Sequence, residues 1–140
     1  MQGRLSGFHD LTLLALRLFL GAFLIYGVWD NIVSSARMDE FEQFLTGIRC
    51  PMPALAAPLS VWAQFAIGAL LIPGLWTRWA GLVLAVNFTV AVVLLLGVGQ
   101  DFRQLFPPAI LIFIGLSLAS GGAGRVSLDH LIKRRSPVRA

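Results

Sequence analysis

Charged residues are scarce in this sequence: they make up 13% of its 140 residues, against about 25% in a typical soluble domain. Hydrophobic residues make up 57%, and the mean hydropathy is +0.80. A water-soluble domain of this length cannot bury that much apolar surface, because small domains have a large surface for their volume. The composition therefore excludes an ordinary soluble protein and predicts one integral membrane domain, residues 1–140.

Residues that build metal and nucleophilic sites are also scarce. The single cysteine, Cys50, excludes an intrachain disulfide and any multi-cysteine metal site within one chain. The two histidines, His9 and His130, lie outside the apolar runs, so no histidine pair within a span can hold haem or copper. We therefore predict no catalytic residue, no metal and no intrinsic cofactor; the reactivity of Cys50 stays open.

Four apolar runs divide the sequence, each close to the length of about 20 residues that crosses the hydrocarbon layer. They are expected as helices at about residues 11–34, 55–76, 79–98 and 105–120. Pro58 is placed in the first turn of the second helix, and Pro107 and Pro108 open the fourth. The first run is about twice as long as the apolar part of a signal peptide, so we expect a retained helix. Short connections make neighbouring helices antiparallel, and the predicted fold is all-α: a transmembrane four-helix up-down bundle.

The connection after the first helix has a helical pattern of its own. Between about residues 38 and 47, apolar side chains recur at i, i+3, i+4 and i+7: Phe41, Phe44, Leu45 and Ile48. This spacing predicts a short amphipathic helix that lies in the outer membrane interface and ends at Gly47. It is either a simple cover over the mouth of the bundle or a lid for a partner or substrate.

Basic residues are distributed unevenly between the two ends of the predicted bundle. With four spans both termini lie on one side, which collects Arg4, Arg78, Arg125, Lys133, Arg134, Arg135 and Arg139. The other side has fewer arginines, and acidic residues accompany them: Arg37, Arg49, Arg103, Asp39, Glu40, Glu42 and Asp101. Because cytoplasmic loops carry an excess of lysine and arginine, both termini are expected in the cytoplasm, with the chain multi-pass in a bacterial cytoplasmic membrane.

The basic tail, residues 124–140, explains the net charge of +4 without a nucleic-acid partner. Ser127 is expected to cap a short helix with Leu128, Leu131 and Ile132 on one face. Followed by basic residues, this helix would lie on the inner membrane surface, with Asp129 paired to Arg125. The alternative is that the tail serves only to orient the chain during insertion.

Four polar residues fall within the apolar runs: Arg17, Tyr26, Gln64 and Asn87. A polar side chain at membrane depth is costly, so these four are the candidate binding cluster. Two alternatives stay open. Arg17 either extends to the inner headgroups or faces inward towards Gln64, a backbone carbonyl or a bound anion. Gln64 and Asn87 either form a structural bond between helices or line a cavity.

Several segments, taken in order, resemble the DoxX family of small membrane proteins. They are Leu16–Gly21, Gly27–Asn31, Gly47–Pro53, Gly68–Arg78 and Gly124–Asp129. Asn31 replaces a lysine usual in the family. Gln64 stands where the family often has an acidic residue, so its side chain cannot carry a proton-linked role.

The resemblance implies a role beside membrane redox enzymes, because DoxX-like proteins are associated with quinone-linked oxidoreductases. The first functional hypothesis is a non-catalytic subunit or scaffold of such a complex, with a quinone or lipid in the bundle and redox-enzyme subunits as partners. The second hypothesis is a binder or transporter of a small apolar or anionic molecule, with Arg17, Tyr26, Gln64 and Asn87 around its cavity. A homo-oligomer that organises the membrane is the third.

Overall fold

The computed structural model describes residues 2–136, and no strand occurs within that range. Its helices are α1 (Gln2–Val33), α2 (Ser35–Gly47), α3 (Pro53–Leu71), α4 (Thr77–Gly97), α5 (Phe102–Gly121) and α6 (Leu128–Arg135). Four segments are long and apolar enough to cross a membrane: Ser6–Val33, Pro53–Leu71, Thr77–Gly97 and Phe102–Gly121. The all-α prediction with four candidate spans is confirmed. Arg139 lies outside the described residues.

Each of the four spanning helices begins earlier than predicted, and α3 also ends earlier, at Leu71 instead of residue 76. α1 begins at Gln2 instead of residue 11, because hydrophobicity marks the lipid-crossing part of a helix and not its first hydrogen-bonded turn. α5 begins at Phe102, so Pro107 and Pro108 lie inside it and do not open it. Pro58 likewise lies inside α3, which begins at Pro53. A proline past the first turn leaves a carbonyl one turn earlier without its N–H donor.

Two close helix pairs form the bundle, and glycine permits both. A Cβ on Gly21 of α1 would lie 2.8 Å from the Gly68 carbonyl oxygen of α3. A Cβ on Gly81 of α4 would lie 2.5 Å from the Gly115 carbonyl oxygen of α5 and 2.8 Å from the Ala119 nitrogen. Backbones this close leave no space for a side chain between them. Small residues that permit such close approach are typical of helix contacts in lipid.

The packed interior has two parts, which define the two ends of the molecule. At the α6 end, the core draws on all four spans: Leu20, Leu24, Ile67, Leu71, Ala80, Leu84 and Leu118. At the α2 end, the short helix takes part in a smaller core: Leu45, Ile48, Ala57 and Leu95. Of the apolar face that the sequence predicted, Leu45 and Ile48 are buried in this core and Phe41 packs against it, whereas Phe44 is half exposed. The position of α2 in a membrane interface stays a prediction.

Candidate functional site

Arg17 is almost fully buried at the α6 end, with 1% of its surface exposed. Its guanidinium donates to the carbonyl oxygen of Leu71 at 3.2 Å and to that of Val126. Arg17 therefore faces the interior of the bundle and bonds to backbone carbonyls; it does not extend to the headgroups. Leu71 ends α3, so Arg17 places a cation at the negative end of that helix.

Asp129 performs the complementary role at the start of α4. Its two carboxylate oxygens accept from the backbone N–H groups of Trp76 and Thr77, at 2.8 and 2.9 Å. The predicted pairing of Asp129 with Arg125 is wrong, because the carboxylate is engaged here. Arg125 instead lies beside Asp10, whose carboxylate accepts from the Arg125 backbone N–H at 3.0 Å.

The turn between α3 and α4 is thus held at both ends by residues distant in sequence. The tail also bonds to it directly, since the N–H groups of Leu128 and Asp129 donate to the carbonyls of Pro73 and Gly74, each at 3.0 Å. Gly74 has a φ of +72°, and a Cβ there would collide with the Arg17 guanidinium. We call Arg17, Gly74, Thr77, Ser127 and Asp129 the helix-end junction.

The junction begins the tail helix as well. Ser127 accepts from the His130 N–H at 3.2 Å, which confirms Ser127 as the cap of α6. Two buried polar atoms, Arg17 Nε and Thr77 Oγ1, have no hydrogen-bond partner within residues 2–136. Leu131 and Ile132 are half exposed, so the apolar face of α6 is not covered by the described part of the chain.

A cavity of about 600 Å³ lies at the α2 end, between α2, α3 and α4. We call it the α2-end cavity. Gln64 and Asn87 both line it, and Ser60 joins them: the Gln64 amide donates to the Ser60 hydroxyl at 3.1 Å, which donates to Asn87 Oδ1 at 3.0 Å. The remaining wall is mostly apolar. The bond between helices thus joins Ser60 and Asn87, with Gln64 bonded to Ser60 within α3, and both amides also line the cavity.

The four candidate residues do not form one cluster. Gln64 and Asn87 share the α2-end cavity, whereas Arg17 belongs to the helix-end junction and Tyr26 is 84% exposed on the outer surface of α1. Arg17 and Tyr26 are nine residues apart, which at about 100° per residue places them on opposite faces of one helix. A single cavity with all four in its lining is therefore not what the structure contains.

Comparison with family models matches residues 12–97 to the DoxX family. The chain belongs to the DoxX family. Comparison with curated proteins and with solved structures gives no significant match.

The DoxX match includes Arg17, the α3–α4 turn and the Ser60, Gln64 and Asn87 side chains of the α2-end cavity. The helix-end junction brings together the segments that carry the DoxX resemblance: the start of Leu16–Gly21, the end of Gly68–Arg78 and the tail segment Gly124–Asp129. The tail segment lies beyond the matched range. Its hydrogen bonds to the turn nevertheless make it part of the same arrangement.

Sequence reasoning missed Ser60 and gave Asp129 the wrong partner. Ser60 lies one helical turn before Gln64, so the i, i+4 spacing was available as a signal for the bond between them. The role of Asp129 carried no such signal, because its partners lie 52 and 53 residues away. No group of three or more metal-ligating side chains occurs in the described part of the chain.

Proposed function

We propose that this DoxX protein is a non-catalytic membrane subunit or scaffold of a quinone-linked redox complex, and that its α2-end cavity holds a quinone or a lipid of similar shape. The observation that carries the proposal is this cavity, with about 600 Å³ of largely apolar space and amide groups in one wall. Small-molecule sites in proteins usually enclose about 300–1,000 Å³.

The outer rim of the α2-end cavity supports an apolar ligand. Leu59, Val83 and Val86 line the cavity and are also exposed on the outer surface of the bundle. In a bilayer such a surface meets lipid tails, since the exposed faces of membrane helices are apolar. A molecule dissolved in the membrane would thus reach the cavity sideways, without crossing water.

The polar wall fits the carbonyl oxygens of a quinone. An amide nitrogen has two N–H donors. Gln64 uses one of its donors on Ser60, and the Asn87 nitrogen has no partner among the described residues. These two side chains would hold the ligand's carbonyl. Phe41, Phe44 and Phe88 provide flat aromatic surface around it.

The side chains of this cavity favour binding over catalysis by the chain itself. When bound, a quinone supplies reversible electron and proton transfer. The polar lining consists of amides, one hydroxyl and the Cys50 thiol. Amides and hydroxyls orient a ligand by hydrogen bonds but do not exchange protons near neutral pH. The proposal therefore assigns electron transfer to partner subunits.

Binding of decylubiquinone to the purified full chain in mild detergent tests the cavity. The double variant Gln64→Leu/Asn87→Leu should weaken binding about tenfold or more, because each lost hydrogen bond contributes about 1 kcal/mol. Ala91→Phe should abolish binding by filling the space. Gln43→Leu is the matched control, since Gln43 is exposed on α2 and outside the lining. Unchanged affinity in both cavity variants would refute the site.

Purification from native membranes tests the scaffold. Redox subunits should co-purify with the chain, and the chain alone should carry no haem or flavin absorbance. A chromophore retained by the isolated chain would contradict the non-catalytic assignment. The second candidate is a binder or transporter of a small apolar or anionic molecule. The sideways opening favours an apolar one, and this candidate is the outcome if such a ligand co-purifies without partner proteins.

A further inference from the structure

A second cavity, of about 470 Å³, lies at the α6 end of the molecule. It is enclosed by the first third of α1, the start of α4, the end of α5 and α6. We call it the α6-end cavity. Its lining is much more polar than that of the α2-end cavity, and none of its residues takes part in the function proposed above.

Cations outnumber carboxylates in the α6-end cavity. Arg78, Arg125 and Lys133 line it together with Asp10 and Asp129. Both carboxylates are already engaged by backbone N–H groups, and Asp10 also lies 3.8 Å from Arg125 Nε. Within residues 2–136, Arg78 and Lys133 form no ion pair. The cavity therefore presents two cations, Arg78 and Lys133, that form no ion pair with a carboxylate of the described residues.

Two tryptophans locate this cavity at the level of lipid headgroups. Trp76 and Trp79 line it and are 64% and 69% exposed. They lie where the apolar span of α4 begins, and the span of α5 ends nearby at Gly121. Tryptophan is enriched at membrane–water interfaces because its ring is apolar and its N–H is polar.

The floor of the cavity leaves room for a compact anionic group. Gly121, Gly122 and Gly124 contribute backbone without side chains. A Cβ on Gly122 would lie 3.4 Å from Arg78 Nε, so the Arg78 side chain extends directly over this glycine. Guanidinium and ammonium groups are the usual protein partners of phosphate, the former through paired N–H donors.

We propose that the α6-end cavity binds the phosphate of an anionic phospholipid. Arg78 and Lys133 contact the phosphate oxygens, and Arg125 lies beside them in its ion pair with Asp10. Trp76 and Trp79 lie beside the upper part of the acyl chains. A phospholipid is the source of phosphate that this position favours, because the cavity lies where the spans end and is flanked by exposed indole rings.

Lipid titration by native mass spectrometry on the full chain in detergent tests this site. Phosphatidylglycerol should bind at one saturable site and more tightly than phosphatidylcholine. Arg78→Gln/Lys133→Gln should weaken phosphatidylglycerol binding about 25-fold, because each cation near an anionic headgroup contributes roughly fivefold in affinity. Arg78→Lys/Lys133→Arg, which keeps both charges, should bind within about threefold of the parent protein.

The matched control is Arg134→Gln/Arg135→Gln, which removes the same charge from exposed positions of α6 outside the lining. It should change binding less than threefold. Equal weakening by both double variants would mean general attraction to a basic surface and would overturn the site. Displacement of the lipid by millimolar inorganic phosphate would overturn the lipid assignment in favour of a soluble phosphate. Equal affinity for the two lipids would also overturn it.

Discussion

The helix-end junction makes a specific prediction for Arg17→Leu. The substitution removes both donors to the Leu71 and Val126 carbonyls. A buried carbonyl left without its partner costs about 1–3 kcal/mol. This cost is partly offset, because the substitution also removes a buried cation whose Nε atom has no hydrogen-bond partner among the described residues. The expected net loss is about 3 kcal/mol of folding free energy.

Thermal unfolding in detergent, followed through the fluorescence of the four tryptophans, measures this loss. For a chain of this length, 3 kcal/mol corresponds to a decrease in Tm of roughly 12 °C. Release of the Val126 carbonyl should also loosen α6, so trypsin should cleave after Lys133 to Arg135 faster than in the parent protein. The Tm of Arg17→Lys should lie between those of Arg17→Leu and the parent protein. An ammonium keeps the positive charge but lacks the planar guanidinium that donates to two carbonyls.

Arg103→Leu is the control, since Arg103 is exposed and makes no side-chain hydrogen bond or ion pair in the described structure. It removes the same charge by the same substitution and should shift Tm by no more than about 2 °C, as surface changes usually do. The reasoning fails if Arg17→Leu melts as close to the parent protein as this control and its tail is cleaved no faster.

Four further predictions concern other parts of the chain. Gly21→Ala should destabilise the α1–α3 contact by about 1–3 kcal/mol, whereas Gly27→Ala, with open space around it, should be neutral or stabilising by up to about 1 kcal/mol; thermal unfolding compares them. Asp129→Asn should cost about 1 kcal/mol, because an amide oxygen replaces only one of two acceptors, and faster hydrogen exchange at the start of α4 should report it. A membrane-impermeant thiol reagent should label Cys50 from outside intact cells, while a reporter fused after the last residue should read cytoplasmic; the reverse pair would overturn the orientation. A spin label at Leu131 should be accessible to oxygen in anionic bilayers at low salt and less so at high salt, whereas free aqueous mobility would leave the tail as a topology signal.

Hydropathy and short-range residue spacing were sufficient to predict the four candidate spans, α2 and the start of α6. The apolar runs predicted the four candidate spans, and the i, i+3, i+4, i+7 pattern predicted α2 and the face it buries. Ser127 was predicted as a cap because the capping bond joins residues three apart.

The same spacing rules would have separated two of the candidate residues. Arg17 and Tyr26 differ by half a turn on one helix, so only one of them can face the bundle interior. The burial of Leu20, Leu24 and Val28 follows the Arg17 face. Tyr26 consequently points away from the bundle, a placement that depth in the membrane alone does not reveal.

By itself, the sequence determined that this chain is an all-helical membrane protein with four candidate spans and a capped tail helix, because those properties depend on composition and on residues within one or two turns of each other. Only the tertiary structure decided what the intramembrane polar groups do. The partners of Arg17 lie 54 and 109 residues away, and the Ser60–Asn87 bond joins residues 27 apart. Such pairings depend on how each helix is rotated about its axis and how closely its neighbours approach, and no local pattern in the sequence records either quantity.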